Sequence, residues 1–82
     1  MDATALSDCE KTVGLKETMK AVEKNLAEKV FIAKDADARL LMDLLRECEA
    51  RGIQVLEVPT KKELGRICHV QVGAAAAARL RA

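Results

Sequence analysis

Two short apolar runs flank a helical one, and that order restricts the fold more than any other feature of the chain. Val30-Phe31-Ile32-Ala33 is apolar throughout, with three β-branched or aromatic residues, and reads as a strand covered on both faces. In residues 36–51 the apolar positions Leu40, Leu41, Leu44, Leu45 and Cys48 recur at helical spacing. Arg39, Asp43, Arg46, Glu47 and Glu49 fall between them on the wet side. Asp35 or Asp37 stands where the first free N–H groups need an acceptor, and Arg51-Gly52 supplies a basic last turn and a left-handed stop. Residues 53–58 then return to a strand pattern. Strand, helix and strand in that order make a βαβ unit with parallel strands, so the pattern predicts an α/β domain.

The segments on either side extend this unit. From Gly14 to about residue 26, Leu15, Met19, Val22 and Leu26 recur at spacings of four, three and four, one face of a helix with Gly14 as its N-cap. Lys16 and Lys20 share another face, with Glu17 beside them at the positive end of the helix dipole. Such a cluster can read a base edge and hold phosphate, although from spacing alone an ordinary solvated helix start is the favoured reading. Residues 1–11 are weakly patterned and predict a frayed or short helix after Ser7. Pro59 stops the second strand, and Thr60 with Glu63 has capping-box spacing for a short helix ending near Cys68. The tract after His69 is ambiguous. Its five consecutive alanines favour helix by propensity, yet two strands alone make a thin sheet, and an alanine strand lets helices press closely on both sides.

Composition removes several functions. The chain has 82 residues, enough for one small domain that buries about 60% of its unfolded surface. Fourteen Lys and Arg against thirteen Asp and Glu leave a net charge of +1, so binding to a polyanion requires a local patch. Phe31 is the one aromatic residue, which excludes a platform of stacking aromatics for single-stranded nucleic acid. Cys9, Cys48 and Cys68 are widely spaced without a CxxC pair, which fits a reducing cytoplasm, with Cys48 in the core. Cys68-His69 is a poor zinc site, because adjacent ligands lack partners at suitable spacing. No apolar run reaches membrane-spanning length, and no glycine-rich phosphate loop or cofactor fingerprint occurs. Without a carboxylate pair or a nucleophile beside a base, the chain is expected not to be an enzyme. Thr18 is expected to hydrogen-bond within the helix start, and His69 to be a surface or turn residue. Lys61, Lys62 and Arg66 form either an electropositive rim or a solvated helix face.

Four pieces taken together resemble a known family. VGLKETMKAV (residues 13–22), VFIAKDADARL (30–40), GIQVLEV (52–58) and KKELGRICHVQVGAAAAARL (61–80) are similar in order and spacing to the ribosomal proteins that bind kink-turn RNA. These are the archaeal "L-seven-Ae" and eukaryotic "L-thirty-e" type, and the chain is most similar to their short bacterial relatives. The resemblance implies a three-layer α-β-α sandwich around a four-stranded mixed sheet, with a short strand at Thr12-Val13 and a last strand in the alanine tract. It also implies RNA contacts at Gly14, Lys16, Glu17 and Lys20, and at a loop formed by Val70, Gln71, Val72 and Gly73. In the family Lys16 stands where an Asn or Lys meets bases, Glu17 where a Glu or Gln does, and Lys20 where a Lys does. Lysine at position 16 keeps a donor and lacks the amide acceptor of Asn.

Read without that resemblance, Val70 and Val72 are strand residues facing the core. With it, their side chains pack on bases flipped out of a bulge. Two functions follow from different classes: an RNA-binding protein that clamps a kink-turn in ribosomal RNA, a riboswitch or another structured RNA, or a protein-interaction module on the same fold. A single short domain without a coiled-coil repeat is expected to be monomeric.

Overall fold

The computed structural model describes residues 11–81. Their elements are β1 (Lys11–Val13), α1 (Leu15–Glu23), β2 (Ala27–Ala33), α2 (Ala38–Ala50), β3 (Gln54–Val58), α3 (Lys61–Ile67) and β4 (Ala76–Leu80). The strands form one mixed sheet in the order β1-β4-β2-β3. β2 and β3 run parallel, as the βαβ pattern requires, and β4 lies antiparallel between β1 and β2. The short helix expected after Ser7, and Cys9, lie outside the described residues.

The alanine tract is a strand because of what stands opposite it. Val30 pairs with Ala78, Phe31 with Ala77 and Ile32 with Ala76. Large side chains on β2 thus face small ones on β4, and Ala76, Ala77 and Ala78 are fully buried. Burial in the centre of the sheet outweighs a helix propensity advantage of at most about 0.7 kcal/mol per residue.

Side chains alternate between two clusters. Val30, Ile32, Ala76 and Ala78 face α1 and α2 through Val22, Leu41, Leu44 and Cys48. Phe31, Ala33, Ala77 and Val58 face α3 through Leu64 and Cys68. Helices on both faces of the sheet give the three-layer α-β-α arrangement.

Among the described residues, all three helices stop by the same device. In each, a residue with left-handed backbone follows the C-cap: Asn25 (φ 59°), Gly52 (φ 67°) and His69 (φ 62°). The next N–H reaches back to the helix, Leu26 to the Ala21 carbonyl, Ile53 to Cys48 and Val70 to Gly65, at 2.9, 2.9 and 3.0 Å. This is the Schellman motif, which satisfies otherwise orphaned carbonyls. His69 is therefore a turn residue, exposed as expected.

Three expectations for α1, β2 and α2 need correction. The first helix ends at Glu23, not near residue 26, because Asn25 turns the chain left-handed, and Leu26 is 49% exposed rather than on the buried face. β2 accordingly begins at Ala27, three positions before the apolar run, where Ala27 pairs with Leu80. Leu40 is not part of the α2 core. The buried residues of that helix are Leu41, Leu44 and Cys48, and Leu40, at the margin of the stripe in the first turn, is 60% exposed.

Asp35 and Asp37, alternative caps in the sequence, serve two different helices. Asp37 Oδ1 accepts from the Arg39 N–H at 2.9 Å and caps α2, whereas Asp35 Oδ1 accepts from the Lys61 N–H at 2.8 Å and holds the start of α3.

Cys48 and Cys68 are free, buried thiols. Burial raises both pKa values; the Glu47 carboxylate adds to the effect at Cys48, and the Lys11 ammonium opposes it at Cys68. Below the ordinary thiol value of 9.0 both folded and unfolded chains keep the proton, and stability is unaffected. Above it the unfolded chain loses the proton first, so stability falls as pH rises. Urea titrations of the wild type and of Cys48→Ala from pH 7 to 10 are expected to show a shallower decline in the variant. Equal slopes would mean that the buried thiol is not linked to folding.

Candidate nucleic-acid interface

α1 starts from a backbone that only glycine adopts easily. Gly14 has φ 99° and no side chain to cap the first turn, so the N–H groups there are available to an outside acceptor. Its own N–H donates to the Ala76 carbonyl at 2.8 Å, which fastens the helix tip to the first residue of β4. Thr18 does not bond within the helix start, as its position had implied. It is fully buried, and its Oγ1 lies 2.9 Å from Oγ1 of Thr12, bracing α1 against β1.

With Thr18 turned inward, Lys16, Glu17 and Lys20 are exposed. Lys20 Nζ lies 3.7 Å from Glu17 Oε1, both side chains more than half exposed. A pair so open to water adds little stability, but it keeps the carboxylate and the ammonium side by side. Glu17, Lys20 and Lys24 also edge a shallow recess that reaches Thr12, Leu26 and Leu80.

The loop before β4 leads to the same end of the sheet. Ala75 accepts from the Ala33 N–H at 2.9 Å and Ala76 from Gly14, so residues 70–73 lie just upstream of the helix tip's attachment point. Val70 and Val72 are not strand residues. Val70 is half-buried against the α3 side of the core, Val72 is 74% exposed, and Gln71 and Gly73 are exposed between and after them. Lys34, which follows β2, and Lys61, which opens α3, are exposed on the segments next to this edge. The carboxyl ends of the parallel strands β2 and β3 point the same way, as ligand-binding edges of open α/β sheets do.

The start of α1 offers a carboxylate acceptor, two ammonium donors and free backbone N–H groups, and the loop leading into the strand it is fastened to offers an exposed apolar side chain. Among the described residues, no three His, Cys, Asp or Glu side chains gather as a metal site, and no helix is long and apolar enough to cross a membrane.

Comparison with known proteins gives the chain a lineage. The pattern of the "Ribosomal protein L7Ae/L30e/S12e/Gadd45 family" covers residues 3–82. The chain belongs to this family. It is 44% identical over 68 residues to an "RNA-binding protein" of Caldanaerobacter subterraneus subsp. tengcongensis, covering 83% of each chain. It is 36% identical over 69 residues to the "RNA-binding protein YbxF" of Geobacillus stearothermophilus, covering 84% of each. Among solved structures, the Giardia lamblia 15.5kD RNA binding protein superposes with a TM-score of 0.83 at 31% identity, over 98% of this chain and 66% of that one. A Bacillus halodurans protein of unknown function shares the fold, with a TM-score of 0.85 at 21% identity.

Two residues that hold the candidate loop and the segment beside it were missed by sequence reasoning. Gly65 abuts the 70–73 loop, and the one available signal was a glycine inside an otherwise good helical run, KKELGRI. The Asp35 bond to α3 left no signal beyond the residue's ability to cap.

Proposed function

We propose that this protein binds RNA and clamps a kink-turn between the tip of α1 and the 70–73 loop, acting as a monomer in the cytoplasm. The observation that carries the reading is that the tip of α1, which bears the exposed acceptor Glu17, is fastened by the Gly14–Ala76 hydrogen bond to the strand that the loop with the exposed apolar Val72 leads into. Family membership and relatives named as RNA-binding proteins support it.

The chemistry follows from RNA geometry. A-form RNA hides its base edges in a deep, narrow major groove, and a sharp kink with tandem sheared G·A pairs opens that groove. An ionised carboxylate only accepts, so Glu17 takes N–H donors from guanine, while Lys16 donates to a carbonyl or ring nitrogen. The uncapped first turn of α1 offers backbone donors to phosphate. Val72, with Val70 behind it, covers a nucleotide that has left the stack. Shape and a few base contacts suffice, so a net charge of +1 is no obstacle.

A gel shift with a kink-turn duplex and a twin whose G·A pairs are made Watson–Crick tests the reading. Tighter binding to the kinked duplex is expected, and equal binding to both removes the claim of shape recognition. Lys20, as a phosphate contact, has a separate signature. Lys20→Ala is expected to weaken binding to both duplexes and to lower the slope of log K against log salt by about 0.7–0.9. An unchanged slope would mean that Lys20 serves only to align Glu17.

A further inference from the structure

The 70–73 loop is held by α3 at three points. At its entrance the Val70 N–H donates to the Gly65 carbonyl at 3.0 Å, and at its exit the Ala74 N–H donates to the Lys61 carbonyl at 3.0 Å. Between them the loop backbone lies directly over Gly65. A Cβ built there would stand 2.2 Å from the Val72 carbonyl oxygen and 3.2 Å from the Gly73 Cα. Both are backbone atoms, so no side-chain rotation relieves the clash; the loop itself must move. Gly65 is also buried within α3, where glycine costs about 1 kcal/mol relative to alanine. That cost is offset only if close approach of the loop is worth more.

We infer that Gly65 is a positioning residue for RNA recognition: its missing side chain sets the height of the 70–73 loop beside the α1 tip, and thereby the preference for a kinked over a straight duplex. This rests on the function proposed above. Gly65 makes no contact with RNA in this account; it acts through Val72 and Gly73. The α1 tip is anchored elsewhere, by Gly14 to Ala76 and Thr18 to Thr12, so a change at Gly65 reaches one half of the interface and spares the other.

The test uses the full chain with Gly65→Ala, in two readouts. Amide chemical shifts and hydrogen exchange are expected to change at Val72, Gly73 and Ala74 and to stay unchanged at Lys16 and Glu17. Affinity for the kinked duplex is expected to fall about tenfold, the size of one lost well-placed contact, with affinity for the Watson–Crick twin and the salt slope unchanged. Should Gly65→Ala fail to fold, Gly73→Ala decides, because its Cβ would press on Lys61 Cβ at 3.1 Å and lift the same loop less severely. It is expected to give smaller changes of the same kind. Since Gly73 itself faces the RNA, a loss of preference supports the inference only with amide shifts at Val72 and Ala74, and a loss without them overturns it.

A loop that shifts while the kinked-duplex preference survives overturns the inference. So does an unshifted loop, or a loss shared equally by both duplexes. If the wild type itself shows no preference, the proposed function fails and takes the specificity role of Gly65 with it, while the amide map still reports whether Gly65 sets the loop.

Discussion

Phe31→Ala is expected to cost about 3–5 kcal/mol of stability, the largest effect of any single substitution considered. Phe31 is 1% exposed at the centre of β2 and fills the space between the sheet and α3, against Leu64, Cys68 and Val58. Its neighbour across the sheet is Ala77, which has no side chain long enough to enter the hole. Cavities that cannot collapse lie at the expensive end of the range. A domain of this size holds a modest total, so such a loss consumes most of it. Thermal unfolding measures the effect directly, at about 4–8 °C of Tm for each kcal/mol in a small domain. A loss below about 1 kcal/mol would show that the α3 face is not part of the cooperative core.

Glu17→Ala is expected to have the opposite profile, an unchanged Tm and a loss of about 1–3 kcal/mol in affinity for the kinked duplex. The side chain is exposed and its ion pair with Lys20 is open to water, so folding does not depend on it. Its carboxylate oxygens, by contrast, are the acceptors proposed for guanine N–H groups exposed by the sheared pairs. Glu17→Gln keeps one acceptor oxygen and the length of the side chain, and is expected to retain part of the affinity. Titration calorimetry on both duplexes distinguishes the cases. A loss spread evenly over kinked and straight RNA would assign Glu17 no role in reading the bend.

The α/β class was legible because periodicity switches twice, from the run at Val30 to the helical stripe of α2 and back at β3. Caps were legible for the same local reason: Thr60 accepts from the Glu63 N–H at 3.0 Å, as the capping-box spacing predicts. The alanine tract was not legible locally, since its strand state depends on Val30, Phe31 and Ile32 lying opposite in space; there the resemblance supplied what propensity opposed. Leu26 and Leu40 were misassigned because a stripe says which positions share a face and not where the buried part of that face ends. An asparagine at position 25 taking a left-handed backbone shortened α1, a choice that asparagine permits without announcing. At the candidate site the residue types were readable, and so was their place on a helix start. The backbone bonds that hold the helix tip and the 70–73 loop were not, because Gly14 to Ala76 and Lys61 to Ala74 each span more than ten positions.

The central claim is that the α1 tip and the 70–73 loop act together as one surface on bent RNA. Titrating isotope-labelled protein with the kink-turn duplex and following backbone amides tests it most directly. Lys16, Glu17, Lys20, Gln71, Val72 and Gly73 are expected to shift in concert and saturate at one equivalent, with Leu40 and Met42 on the outer side of α2 unmoved. Shifts centred on Leu40 and Met42, or at the α1 tip with the loop silent, would contradict the account.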